Sequence, residues 1–336
     1  MKTLLYIGNK LSEHGYTSTS IETLGVLLED EGFKVIYASS YENKVSRMIE
    51  MMCKTIKYSN KVDYVLIDTY STKNFWYAFV ISQLCRLLGL KYIPTLHGGN
   101  LPNRIIKSKF FSDMIFCNAY INIAPSYYLF EIFKKNGYVN LKYLPNSIEL
   151  KLYPVIKKTF CTPRLLWVRS FSNIYNPLMA IKVFIKVKRI FPEAKICMIG
   201  PKKDESYLKT LRYVKMNNVD VLLTGKLSKE EWIEKSKDSN VFINTTHFDN
   251  TPISVIEAMA LGIPIVSTNV GGIPYLLKHN SNALLVNDND VEDMTNQIIR
   301  LFTEQNLADC LSKNGKASVE NFDWEIVKKQ WTELLI

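Results

Sequence analysis

No two cysteines of this 336-residue chain stand in C-x-x-C spacing. The six present, Cys53, Cys85, Cys117, Cys161, Cys197 and Cys310, are widely scattered. That argues against a zinc site or disulfide framework and predicts buried thiols in a reducing compartment. A long hydrophobic run is also missing. The N-terminus MKTLLYIGNKLSEHG holds only a short apolar run, too short for a signal peptide, and reads as a first strand. Residues 75–90, FWYAFVISQLCRLLGL, are interrupted by Gln83 and Arg86 and fall short of a membrane span, so a buried helix is expected there. Low-complexity segments and short-period repeats are absent too. The net charge of +10 is shared between the halves, which excludes a basic nucleic-acid tail. No G-x-G-x-x-G follows the first strand, which speaks against a dinucleotide-dependent dehydrogenase.

What the chain does have is a sustained alternation of short apolar runs with helical patterns, the mark of parallel sheets with crossover helices. Strands are expected at 3–8, 34–38, 63–68, 91–96, 114–117 and 120–124, with a helix over 18–32. The series then restarts at 164–168, 194–199, 219–223, 240–244, 263–267 and 283–286. Two similar α/β domains are therefore expected, joined by a proline-containing linker over 144–164. Ligands of such domains bind outside the carboxyl ends of the strands, so function should reside in the following loops, in crevices facing across a cleft.

The most specific loop is FDNTPISVIEAMALGIPIVSTNVGG, residues 248–272. From Ile253 to Leu261 it is apolar apart from Ser254 and Glu257, which predicts a helix buried on nearly every side. Thr251 is expected to cap it, with Pro252 in its first position. Its start would offer unpaired N–H groups and the positive dipole end to an anion such as a diphosphate. Glu257 lies five residues beyond Pro252, about 7 Å along the axis, so Asp249 and Glu257 could hold opposite ends of one ligand. A buried carboxylate needs partners: ligand hydroxyls serve, and so does a cation or N–H inside the core. DND at 288–290 superficially suggests a metal site, but its context predicts a turn and a helix cap.

Asp249-x7-Glu257 with the following AMALGIPIVSTNVGGIPYLL resembles the E-x7-E signature of retaining glycosyltransferases of family 4, which have the GT-B fold. SEHGYTSTSIETLGVLLEDEGFKV, PTLHGGN, LPNSIEL, WVRSF and FDWEIVKKQWTELL resemble further family segments, so the likeness runs along most of the chain. It implies an N-terminal Rossmann-like acceptor domain (1–150), a nucleotide-sugar domain (151–317) and a C-terminal helix crossing back (318–336). By this resemblance Asp249 binds the donor sugar, Glu257 the ribose, and Arg169 neutralises the leaving diphosphate. Asn250, Thr251, Ile253 and Ser254 line the sugar and phosphates, Gly15 lets a loop approach the phosphates, and Gly225, Lys226 and Leu227 meet the base. His97 would sit on the reacting face, with Asn100 and Arg104 beside it toward the acceptor.

Two departures stand out. The first acid is Asp rather than the commoner Glu. Ile174 and Tyr175 occupy the positions where a lysine usually follows the arginine, leaving Asn173 or Asn176 as substitutes. The activity implied is metal-independent transfer from a nucleotide sugar, UDP- or GDP-linked, with no cofactor. The acceptor implied is a glycan or lipid-linked glycan of capsule, O-antigen or exopolysaccharide assembly. Basic and aromatic residues over 102–143 fit either an anionic membrane surface, at the cytoplasmic face, or core aromatics with solvated lysines. A non-catalytic partner subunit, a GT-B nucleotide-sugar epimerase and a DNA glucosyltransferase are the alternatives; no concentrated basic stripe favours the last.

Overall fold

The structure, a computed structural model, describes residues 1–14, 19–155 and 158–336. The chain forms two compact units, Met1–Asn146 with Glu325–Ile336, and Ser147–Trp324. In the first unit the elements run β1 (Thr3–Ile7), α1 (Ser20–Asp30), β2 (Lys34–Ala38), α2 (Lys44–Lys57), β3 (Tyr64–Tyr70) and α3 (Phe75–Leu87). They continue as β4 (Tyr92–His97), α4 (Leu101–Lys107), α5 (Lys109–Phe116), β5 (Asn122–Ala124), α6 (Tyr127–Lys135) and β6 (Leu141–Tyr143). The second unit runs β7 (Arg164–Val168), α7 (Pro177–Ile190), β8 (Lys195–Ile199), α8 (Ser206–Met216), β9 (Leu222–Gly225), α9 (Lys229–Ser236) and β10 (Val241–Asn244). It closes with α10 (Ile253–Ala260), β11 (Ile265–Thr268), α11 (Ile273–Leu276), β12 (Leu284–Val286), α12 (Val291–Thr303) and α13 (Leu307–Val319). The last helix, α14 (Trp324–Leu335), lies almost wholly in the first unit, where Lys328 pairs with Glu31 at 3.1 Å.

Each unit holds one six-stranded sheet, ordered β2-β1-β3-β4-β5-β6 and β12-β11-β10-β7-β8-β9, with parallel neighbours throughout. Strands covered on both faces read as continuous apolar runs, which is why they were legible. Strand order reverses between β1 and β3 in the first sheet and between β7 and β10 in the second. Open α/β sheets carry their ligand crevices at the carboxyl ends of such strands. The second sheet lies between two apolar layers, one centred on Trp167, Phe184 and Ile298, the other on Phe242, Val255 and Ile273.

Several expectations need correction. Residues 114–117 are the end of α5 and Cys117 after it, not a strand, because so short an apolar run suits either element. The sixth strand is β6 instead, with little apolar signal to announce it. The stretch 144–164 is packed rather than a loose linker: Ile148 and Tyr153 are buried, and Ile148 bridges to Asp323. Helix α3 is only partly covered, with Trp76 and Leu87 exposed. Over 102–143 the aromatics divide: Phe116 and Phe133 are core, while Ile106, Phe110 and Tyr127 are exposed.

The thiols are also not uniformly buried. Cys85 and Cys197 are; Cys53, Cys117, Cys161 and Cys310 are free and exposed. Burial pushes the thiol of Cys85 up to about 12 and that of Cys197 to about 11. Since the thiolate is the reactive form, a thiol reagent at pH 8 should label Cys53, Cys161 and Cys310 readily and Cys85 and Cys197 only after denaturation. Cys117, raised by burial and then by Asp113, should lag the other exposed thiols. Peptide mapping of the labelled chain gives the order.

Candidate functional site

The second unit gathers its unusual residues where strand order reverses. Arg169 follows β7 directly, its N–H donating to the Ile199 carbonyl at 3.0 Å. Gly200, at φ +152°, comes so near that a Cβ there would sit 1.8 Å from the Arg169 carbonyl oxygen. The Arg169 guanidinium lies over the Tyr175 ring, 4.8 Å from the centroid, and its Nη2 forms an ion pair with Asp249. Arg169 Nε is buried and has no hydrogen-bond partner among the described residues. A buried polar atom without a partner costs about 1–3 kcal/mol, or more for a charged group, so this one calls for an acceptor.

Asp249 sits on the loop after β10. Its carboxylate accepts the N–H of Asn250 at 2.8 Å, and its carbonyl accepts the N–H of Gly272 at 2.8 Å. Side chains are excluded from the facing turn. A Cβ on Gly272 would lie 1.9 Å from the Asn250 carbonyl oxygen, and one on Gly271, at φ +53°, 2.3 Å from that of Asp249. The glycine pair therefore fixes the backbone that presents the carboxylate.

Helix α10 begins at Ile253, so Pro252 rather than Thr251 stands in the capping position. The Pro252 carbonyl already accepts the N–H groups of Val255 and Ile256, at 3.1 and 3.2 Å. Proline offers no side-chain acceptor, and the N–H groups of Ile253 and Ser254 precede the first intrahelical bond. Ser254 is buried, and its Oγ has no hydrogen-bond partner among the described residues. Glu257 lies three residues on, hence on the same helix face.

Glu257, 5% exposed, finds partners in the protein itself. Its Oε1 accepts the Tyr153 hydroxyl at 2.7 Å and the Lys229 ammonium at 2.9 Å. Burial, and then the adjacent Glu257 charge, hold the Tyr153 hydroxyl far above its ordinary range, so it stays a donor. Lys229 opens α9, just beyond the Gly225–Leu227 turn, where Gly225 takes φ +77°, Lys226 is exposed and Leu227 packs on the core.

The asparagines go elsewhere. Asn173 donates its N–H to Asp204 at 2.8 Å, and Asn176, at φ +46°, caps α7 through Met179. Both line a cavity of about 450 Å³ with Lys209 and His247, which Arg169, Asp249 and Glu257 do not line. Asp288 pairs with His247 at 2.8 Å and Asp290 caps α12, the turn-and-cap arrangement expected of DND.

In the first unit His97 ends β4, 9% exposed, with Nε2 3.0 Å from Asp68 Oδ1. Asp68 is fully buried; Tyr6 donates to the same oxygen at 3.1 Å, while Oδ2 has no partner among the described residues. Asn100 is exposed at the start of α4 and accepts from Asn103. Arg104 spends its fork on the chain itself: Nε and Nη2 donate to the Ser71 carbonyl at 3.0 and 2.7 Å, and Phe75 lies beneath it. Gly15 lies outside the described residues. Sequence reasoning missed Asp68, Tyr153 and Lys229; an acid closing the apolar run YVLID was the one usable signal.

Residues 161–318 match the family model of glycosyl transferases group 1. A UDP-Gal:alpha-D-GlcNAc-diphosphoundecaprenol alpha-1,3-galactosyltransferase of Escherichia coli is 24% identical over 59% of this chain. The chain spans about half of that relative's length, 55%. An uncharacterized glycosyltransferase of Methanocaldococcus jannaschii is 25% identical over 95% of both chains. Among solved structures, HepE of Anabaena, in complex with UDP and glucose, superposes with a TM-score of 0.77 at 14% identity, covering 100% of this chain and 99% of that one. The fold is GT-B. Over residues 161–318 the chain is similar in sequence to glycosyl transferases group 1.

Replacing Gly272 by alanine should cost about 1–3 kcal/mol of stability in urea unfolding, because a backbone carbonyl must move aside. A pH effect is expected at the neighbouring loop. Burial alone would raise the Asp204 carboxyl, but hydrogen bonds from Asn173, Ser206 and Ser172 outweigh it and bring the carboxyl to about 2. A depressed carboxyl contributes stability above its ordinary value of 3.8 and loses it as pH falls through about 2. Hydrogen exchange at the Asn173 amide should accelerate across that window beyond the intrinsic pH trend, and already at pH 6 in Asp204→Ala.

Proposed function

We propose that this protein transfers a sugar, with retention of configuration and without a metal ion, from a nucleoside-diphosphate sugar to a glycan or lipid-linked glycan. The observation that carries the reading is that two buried donors, Arg169 Nε and Ser254 Oγ, have no hydrogen-bond partner among the described residues, Ser254 in the first turn of α10 on the face of Glu257 and Arg169 paired with Asp249 on the loop that leads into that helix. Both can donate; Ser254 lies with the first N–H groups of α10 at the positive end of its dipole, and Arg169 is tied through Asp249 to the loop that precedes it. An anion completes such a set, and a diphosphate is the anion that a nucleotide sugar brings.

Within this reading Arg169 and the helix tip stabilise the charge that develops as the sugar–phosphate bond breaks. Asp249, already oriented by Asn250 and Arg169, takes sugar hydroxyls. Glu257 takes the ribose, with Tyr153 and Lys229 holding its carboxylate in place. The acceptor hydroxyl forms the new bond to the anomeric carbon, and its proton passes to the departing phosphate oxygen. Tyr175, in the place where a lysine is usual in the resembling family, backs the Arg169 plane, so one cation carries the charge that two would share. In the first unit His97 and Asp68 serve the acceptor side. The E. coli relative's name carries a diphosphoundecaprenol-linked sugar, which supports a lipid-linked substrate; surface polysaccharide assembly at the cytoplasmic face of the membrane is the setting we propose for it.

Calorimetric titration with UDP, GDP and ADP, with and without EDTA, tests the donor site. One nucleotide should bind regardless of chelator, and Glu257→Ala, folded by circular dichroism, should lose at least about ten-fold in affinity, as expected for a hydrogen bond to a charged group. Arg169→Ala should lower turnover by about 10²–10³. A folded wild type that binds no nucleotide would overturn the reading in favour of a non-catalytic subunit.

A further inference from the structure

Helix α2 carries apolar residues on two faces: Met48 and Met51 pack on the core, and a second set faces outward. Its apolar residues at helical spacing, Val45, Ile49, Met52 and Ile56, are 68%, 54%, 36% and 54% exposed. Those it buries include Arg47 and Thr55 beside Met51. Arg47 is satisfied by the Tyr41 carbonyl at 3.0 Å and Thr55 by that of Met51 at 2.7 Å, so the inward face is settled. Positions i, i+4, i+7 and i+11 form one stripe along the helix. An ordinary crossover helix has one apolar stripe, facing the sheet; here Met48 and Met51 face the core and this second stripe faces outward.

The flanks indicate what covers it. Between Glu42 and Lys61 there are four lysines and one arginine against two glutamates. Lys44 and Lys57 are exposed at the two ends of α2, and Lys54 is engaged by Glu50 at 2.6 Å. An apolar stripe bordered by lysines matches a layer of acyl chains beneath anionic headgroups. A second protein surface would have to meet the stripe with apolar groups and the lysines with acids. The fourteen residues of α2 extend about 21 Å, enough to lie along such a layer.

We propose that α2 docks this protein on an anionic lipid surface, with Val45, Ile49, Met52 and Ile56 entering the headgroup boundary. The inference builds on the reading of a lipid-linked acceptor, and its test separates the two, since vesicle binding is read without turnover or nucleotide.

Co-sedimentation with vesicles of phosphatidylcholine plus phosphatidylglycerol, against phosphatidylcholine alone, is the experiment. Wild type should partition onto the anionic vesicles and weaken with added salt. Ile49→Asp should lose about ten-fold or more, the transfer worth of one isoleucine. Its thermal unfolding should be unchanged, because the side chain has little packing to lose. Lys44→Glu with Lys57→Glu, equally exposed, should lower binding on anionic vesicles only. Equal partitioning of wild type and Ile49→Asp, or no partitioning of wild type, overturns the proposal. A wild-type dimer in sedimentation velocity that Ile49→Asp dissociates overturns it too, assigning the face to a second copy of the chain.

Discussion

The candidate site of the second unit depends on places where the backbone comes too near for a side chain. Arg169 and Asp249 lie 80 residues apart and meet in an ion pair. Neither is placed by that attraction alone, since bringing two charges out of water offsets much of it. Gly200 lets one chain pass against the Arg169 carbonyl, and Gly271 with Gly272 lets another lie against Asp249 and Asn250. Rigid backbone supplies the positions; the charges then find each other with little freedom left to lose. That Nε of Arg169 has no partner among the described residues follows from this, since a guanidinium fixed by stacking on Tyr175 cannot swing to seek another acceptor.

Much of this was legible in the residues. Strands buried on both faces announce themselves, and eleven of the twelve were found near their places. The exception, 114–117, shows the limit of an apolar run, which reports burial without period. The cap of α10 misled for a different reason: Thr251 has the better capping chemistry, but the chain makes its helical turn one residue later, at Pro252. Long-range partners were beyond reach. Nothing local to Glu257 names Tyr153, 104 residues earlier, and nothing in PTLHGGN names Asp68. The sequence pattern shows which residues carry charge; the topology decides which of them meet.

Glu257 illustrates how the two readings of a buried acid converge. It has a cation and a hydroxyl inside the protein, as a structural acid should, and both meet the same oxygen, Oε1. A carboxylate so anchored is oriented without being saturated, because its second oxygen retains acceptor capacity. Internal partners and a ligand need not compete.

The first unit is made from two pieces of chain, Met1–Asn146 and Glu325–Ile336, with the whole of the second unit threaded between them. On a ribosome adding about 5–20 residues per second, roughly 10–40 s separate the emergence of the first piece from that of the second. Throughout that interval the surface that receives Val327, Trp331 and Leu335 lacks its cover, and the second unit has all of its own residues before that cover is made. Birth order and completion order are therefore opposite: the unit synthesised first is the one finished last.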